Sequence, residues 1–180
     1  MNTWIALFRG INVGGNRILP MKALAALLEE LGGTRIQTYI QSGNAVFRGA
    51  GTDAAGLSAR IEAAVLKQHG FATRVLLLNR DEFETAASAN PFPRAVAEPK
   101  TLHLAFLAAR PKQPDLAALN AIKRNNEEFV LEGKVFYLHA PDGIGQSKLA
   151  ERYEKLLGVT ATARNWNTVM KVLEMAKQQA

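Results

Sequence analysis

Two stretches of this chain, about ninety positions apart, repeat one order of structural signals, and that repetition limits the fold more than any single motif does. In each stretch an apolar run precedes a helix pattern, two short strands around a glycine, a second helix and a further apolar run. The hairpin glycines Gly43 and Gly133 stand 90 positions apart, and Leu57 and Leu149 on the second helices stand 92 apart. The residues themselves do not repeat, so the correspondence is one of architecture. A β-α-β-β-α-β order fits a split-βαβ, ferredoxin-like unit with helices laid on one face of a sheet. The expected fold is therefore α+β, with two βαββα(β)-type halves, the first ferredoxin-like, and helices packed on antiparallel sheets. The first half spans residues 1–89 and ends in a short helix, residues 90–100 connect, and residues 101–180 form the second half with its C-terminal helix.

Local signals support this division. Trp4–Phe8 is a continuous apolar run of the kind that suits a central strand. Pro20 opens a helix in its first turn, Leu24, Leu27, Leu28 and Leu31 give it one apolar face, and Gly32 stops it. Ile36, Thr38 and Ile40 alternate with polar neighbours as in a half-buried strand, and Ser42-Gly43-Asn44 turns the chain back into Ala45–Phe47. Asp53 or Ser58 caps a helix that ends at Gly70, followed by a strand over Thr73–Leu78 and a short helix over Asp81–Ser88. Asn90-Pro91-Phe92-Pro93 interrupts regular structure. In the second half, Leu102–Leu107, Glu128–Leu131, Val135–Leu138 and Thr160–Ala163 read as strands. Pro114 and Asp115, Ser147, and Asn165 open its helices, the last with Trp166, Val169, Met170 and Leu173 on one face.

Composition narrows the function classes. The chain has 180 residues, no cysteine, and no apolar run near the ~20 residues of a membrane span. Disulfides, thiolate metal sites and a catalytic thiol are therefore excluded, and the start of the chain lacks the features of a signal peptide. A cytoplasmic, non-membrane protein is expected. The net charge of +6 permits attraction to phosphates, but no run of basic residues forms a tail. The three histidines show no helical metal-ligand spacing, and no nucleophile–base–orienter set is visible. No catalytic residue, metal ligand or cofactor is expected from these patterns.

Binding chemistry concentrates instead in polar loops. Arg9-Gly10-Ile11-Asn12-Val13-Gly14-Gly15-Asn16 lies between a strand and a helix. Its glycines permit close backbone approach, and Arg9 offers a fork for phosphate or carboxylate. The G-x-x-x-G-G spacing is neither a dinucleotide fingerprint nor a P-loop, so a purely structural connector is the competing reading. In the expected topology this loop and Gln41-Ser42-Gly43-Asn44 emerge at the same end of the sheet. Gly143-Ile144-Gly145-Gln146-Ser147-Lys148 presents backbone donors and a lysine at a helix start, where Ser147 also serves as a simple cap. Thr162-Ala163-Arg164-Asn165-Trp166-Asn167-Thr168 is the densest polar cluster. Its Trp166 is expected in the apolar face rather than stacked on a base.

These motifs, with Asn90-Pro91-Phe92-Pro93, give the chain a close resemblance to the bacterial family called domain of unknown function 1697 (DUF1697). The resemblance implies an α+β fold of ferredoxin-like character, and it supplies no activity, cofactor or catalytic residue. The candidate ligand-binding residues are Arg9, Asn12, Gly14, Gly15, Gln41, Ser42, Asn44, Ser147, Lys148, Arg164, Asn165 and Asn167. The expected ligand carries phosphate, either a nucleotide or single-stranded nucleic acid. The alternatives are an enzyme acting on a small polar metabolite, with Arg9, Gln41, Ser42 and Lys148 or Arg164 around its pocket, and a non-catalytic scaffold or partner-binding module.

Overall fold

The computed structural model describes residues 1–179. By internal contacts they form two units, Met1–Thr85 with the segment from Lys171, and Ala86–Met170. The first unit contains β1 (Asn2–Arg9), α1 (Met21–Glu30), β2 (Thr34–Tyr39), β3 (Asn44–Gly49), α2 (Ala54–His69) and β4 (Arg74–Asn79). Its four strands pair antiparallel in the order β2-β3-β1-β4. This is the split-βαβ arrangement: β1 sits in the middle because the crossover through α2 places β4 on its free side. Accordingly, Trp4 to Phe8 are all buried. Trp4, Ala6 and Phe8 face one way and join Leu24, Leu27 and Leu28 of α1 and Ile61 and Val65 of α2 in a single core.

A helix α3 (Arg80–Ser88) and two short 3-10 turns, Pro93–Ala97 and Pro99–Thr101, lead on through the chain. The second unit contains β5 (Leu102–Leu107), α4 (Leu116–Ile122), β6 (Glu128–Glu132), β7 (Val135–His139), α5 (Lys148–Leu157) and β8 (Ala161–Asn165). Its sheet order, β6-β7-β5-β8, reproduces that of the first unit strand for strand, again fully antiparallel. The core comprises Ala105 and Leu107 of β5, Phe136 and Leu138 of β7, Leu119 of α4, and Leu149 and Leu157 of α5. Phe136 stacks on Tyr153 at 4.9 Å between ring centroids, fixing α5 against β7. The final helix, α6 (Trp166–Lys177), begins directly after β8.

Several local expectations shift in instructive ways. Pro20 is the N-cap of α1, one position before its first helical residue. Asp53 is the cap of α2, accepting from the Gly56 amide at 2.9 Å, while Ser58 lies inside the helix and donates to the Val75 carbonyl. The first hairpin turns one residue earlier than expected: Asn44 already belongs to β3 and is buried, whereas Ile40 sits in the turn at φ 47° and is 48% exposed. On α6 the buried stripe is Val169, Val172, Leu173 and Ala176. Asn165 caps the helix as expected, but with this stripe facing inward Met170 points to solvent and Trp166 is half-buried.

Candidate functional site

In the first unit, the loop after β1 is a small hairpin in its own right. Val13 and Asn16 form an isolated bridge, with the Asn16 amide donating to the Val13 carbonyl at 3.1 Å. Gly14 and Gly15 form the two-residue turn at φ 61° and 74°, a pair of left-handed positions that defines a type I′ turn. Asn12 stands at the base of this hairpin, also left-handed at φ 54°. Its Nδ2 donates to the carbonyls of Leu19 (2.9 Å) and Gln41 (2.8 Å), and its Oδ1 accepts from the Leu19 amide (2.7 Å). One side chain thus ties the long loop to the β2–β3 turn. The turn is further held by Asn44, whose Nδ2 donates to the Tyr39 carbonyl at 2.9 Å and the Ser42 Oγ at 3.2 Å. The Phe8 amide donates to the Gly43 carbonyl at 2.8 Å.

Beside these loops lies an open cleft of about 630 Å³, lined by Arg9, Arg17, Arg74, Glu62, Thr73 and small or apolar residues of α2. Two of its arginines are cross-strand neighbours. Arg9, the last residue of β1, is directly opposite Arg74, the first of β4. Directly opposed residues of an antiparallel pair project from the same face, so the fold places two cations side by side. Arg17 returns toward them from the hairpin: the position a Cβ would take on Gly10 lies 3.4 Å from its Nη1. Glu62 is the one carboxylate among the described lining residues. Its Oε1 accepts from the Val75 amide at 2.8 Å, and its Oε2 lies 3.5 Å from Arg74 Nη1. Thr73 Oγ1 donates to the Arg9 carbonyl at 2.9 Å and closes the cleft floor.

Chemically, the cleft offers guanidinium forks and one anchored carboxylate, a setting for an anion with several oxygens. Arg9 was legible as a candidate from sequence. Arg17 and Arg74 were not, although Arg17 lies in the same loop and a ferredoxin-like order puts the start of β4 beside the end of β1.

The remaining candidates belong to the second unit and gather, within that unit, at the start of β5. There, register pairs His103 with Asn165 and Leu102 with His139, so β7 and β8 both finish at the start of β5. The loop before α5 and the Arg164–Asn167 segment therefore leave the same end of that sheet. Ser147 is buried and caps α5, its Oγ accepting from the Ala150 amide at 3.0 Å. Asn165 Oδ1 accepts from the Thr168 amide at 3.0 Å, capping α6. Lys148 and Asn167 are exposed. Arg164 is half-buried, donates to the Ala163 carbonyl at 2.9 Å, and has its pKa lowered by desolvation to about 10. The same end carries Phe92, whose ring centroid is 6.0 Å from that of His139, and an Arg124 Nη2 bond to the Gln146 carbonyl at 2.8 Å. His103 is half-buried there, and desolvation lowers its pKa against an opposing backbone hydrogen bond at Thr101. In the first unit the polar loops leave the end of β1; in the second they leave the start of β5, although both sheets share one strand order.

Two four-stranded antiparallel sheets of split-βαβ order, each with its own helices, define an α+β protein of ferredoxin-like construction in both units. The chain belongs to the family described as protein of unknown function (DUF1697), whose pattern matches residues 1–137. That match includes the Arg9, Gln41 and Asn90 motifs, whereas the Ser147 and Arg164 motifs lie beyond it. A solved structure, the conserved bacterial protein SP0830 from Streptococcus pneumoniae, is similar with a TM-score of 0.68 at 23% identity, over 97% of this chain and 98% of that one. No curated protein sequence matches the chain. No helix among the described residues is long and apolar enough to cross a membrane.

Proposed function

We propose that the first unit binds a phosphate-bearing ligand, a nucleotide or single-stranded nucleic acid, in the arginine-lined cleft, and that it does so in the cytoplasm. The observation that carries this reading is the opposition of Arg9 and Arg74 across β1 and β4, with Arg17 brought back toward them. Two guanidinium groups on neighbouring strands, with a third returning from the loop, offer several forked donors within reach of one anion. Phosphate oxygens match the forked donors of arginine, and the net charge of +6 favours approach of polyanions. Glu62, 3.5 Å from Arg74, holds that guanidinium toward the cleft. Asn12, Gln41, Ser42 and Asn44 act in this reading as the frame that fixes the loop, and Gly14 and Gly15 as its turn. Ser147, Lys148, Arg164, Asn165 and Asn167 belong to the second unit and have no assigned part in this reading.

A thermal-shift titration with pyrophosphate, nucleotides and sugar phosphates tests the proposal. The expected result is a saturable rise in Tm for at least one phosphate compound, lost in Arg17→Ala and in Arg74→Ala. Both arginines are exposed, so neither substitution removes core packing. A shift that survives both substitutions, or no shift with any phosphate compound, overturns it.

A further inference from the structure

The loops beside the cleft expose apolar side chains that the core does not use. Val13 is 65%, Ile18 62% and Ile40 48% exposed. The Asn12–Gln41 hydrogen bond brings the segments that carry them together at one end of the sheet. Exposed apolar residues scattered singly need no explanation, but a group of them rimmed by polar residues marks a contact surface. Arg17 lines the cleft and is adjacent to Ile18, so the apolar ledge and the cationic cleft are continuous through the chain.

The cleft lining contributes guanidinium, carboxylate, hydroxyl and aliphatic groups, with no aromatic ring and no side-chain amide among its described residues. It thus has forks for phosphate oxygens but no ring to stack on a base and no amide to read a base edge. A mononucleotide held there would engage its phosphates and set at most one base over the ledge. Resting on the proposed phosphate binding, we infer that the site is built for single-stranded nucleic acid, bound with little regard to sequence. Successive phosphates lie along Arg9, Arg17 and Arg74, and unpaired bases or sugars lie across Val13, Ile18 and Ile40. A duplex keeps its base faces stacked inside and offers the ledge nothing, so charge complementarity together with the apolar ledge selects the single strand.

Fluorescence anisotropy with labelled oligonucleotides of about twelve nucleotides, a length within the range one small module covers, tests the inference. Single strands of two unrelated sequences are expected to bind alike, and about tenfold more tightly than the duplex or the mononucleotide. With three phosphates neutralised, the logarithm of affinity is expected to fall against that of salt with a slope near about −2. Val13→Ser combined with Ile18→Ser should weaken the oligonucleotide about tenfold more than it weakens pyrophosphate, with an unchanged circular dichroism spectrum and Tm. Pyrophosphate binding without any preference for single strands, or equal loss of both ligands in the ledge variant, overturns the inference while leaving the phosphate site standing. Failure of pyrophosphate and oligonucleotide alike overturns both.

Discussion

At Asn12 one carboxamide satisfies three backbone groups from two separate segments: the Leu19 amide and carbonyl, and the Gln41 carbonyl. Asparagine suits this position twice over, since it tolerates the left-handed backbone at φ 54° and carries a donor and an acceptor on one short stem. Its role is therefore to build the loop that carries Arg17, rather than to meet a ligand itself. Asn12→Ala should cost about 2–3 kcal/mol in urea unfolding, because it strands buried or half-buried backbone groups and leaves an unfavourable φ. Asn12→Asp should fall between the two, since a carboxylate keeps the bond from the Leu19 amide but donates to neither carbonyl. An alanine variant as stable as the native chain would show that the three bonds are not what holds the loop.

The β2–β3 turn shows how much of an element is legible from its residues. Its place between strands, and its convergence with the loop after β1, follow from the alternation of Ile36 to Gln41 and from the crossover topology. The reason for Gly43 does not follow from either. At φ 88° a side chain is already strained, and a Cβ there would lie 2.6 Å from Ile11 Cδ1 and 2.7 Å from Phe8 Cβ. Gly43→Ala should therefore cost more than about 2 kcal/mol, combining backbone strain with overpacking. Gly14→Ala, equally left-handed but with nothing within 4 Å, should cost only about 1 kcal/mol. Equal Tm losses in the two variants would refute the close-approach argument. The same distinction explains what sequence reading missed at the cleft. Arg9 stood out because it opens a glycine-rich polar loop between a strand and a helix, but Arg74 acquires its meaning only from being opposite Arg9. Cross-strand register depends on which strand lies beside which, and no local pattern near Arg74 reports it. Met170 illustrates the complementary failure: its apolar character and spacing fit a helix face, yet the face that packs inward runs through Val169, Val172, Leu173 and Ala176 and leaves Met170 43% exposed.

Across the whole molecule, a strand order shared by both units does not impose shared chemistry. The first unit gathers its arginines where β1 ends, and the far end of the same sheet has a different task. There Arg48 on β3 is opposite Thr3 on β1 and Thr34 on β2. Its Nη1 donates to the Gln179 carbonyl at 2.6 Å and its Nη2 to the Met1 carbonyl at 3.0 Å. Gln179, itself buried, donates from Nε2 to the Arg35 carbonyl at 2.9 Å, where β2 shifts register against β3. Edge strands are exposed to unwanted pairing, and a bulge covered by another segment limits it. Arg48 of β3 and Gln179 thus tie the chain from Lys171 to the first unit, as does Lys177 Nζ at 2.7 Å from Glu84 Oε1. Arg48→Met keeps the apolar stem and removes both charge-assisted bonds, a loss of about 1–3 kcal/mol. Native-state hydrogen exchange should then speed up by tenfold or more at residues 34–36 and 177–179, with the amides of β5, β7 and β8 unchanged. A rise of the same size across β5, β7 and β8 would show that the contact supports the whole chain cooperatively, and the assignment of the C-terminal segment to the first unit alone would fail.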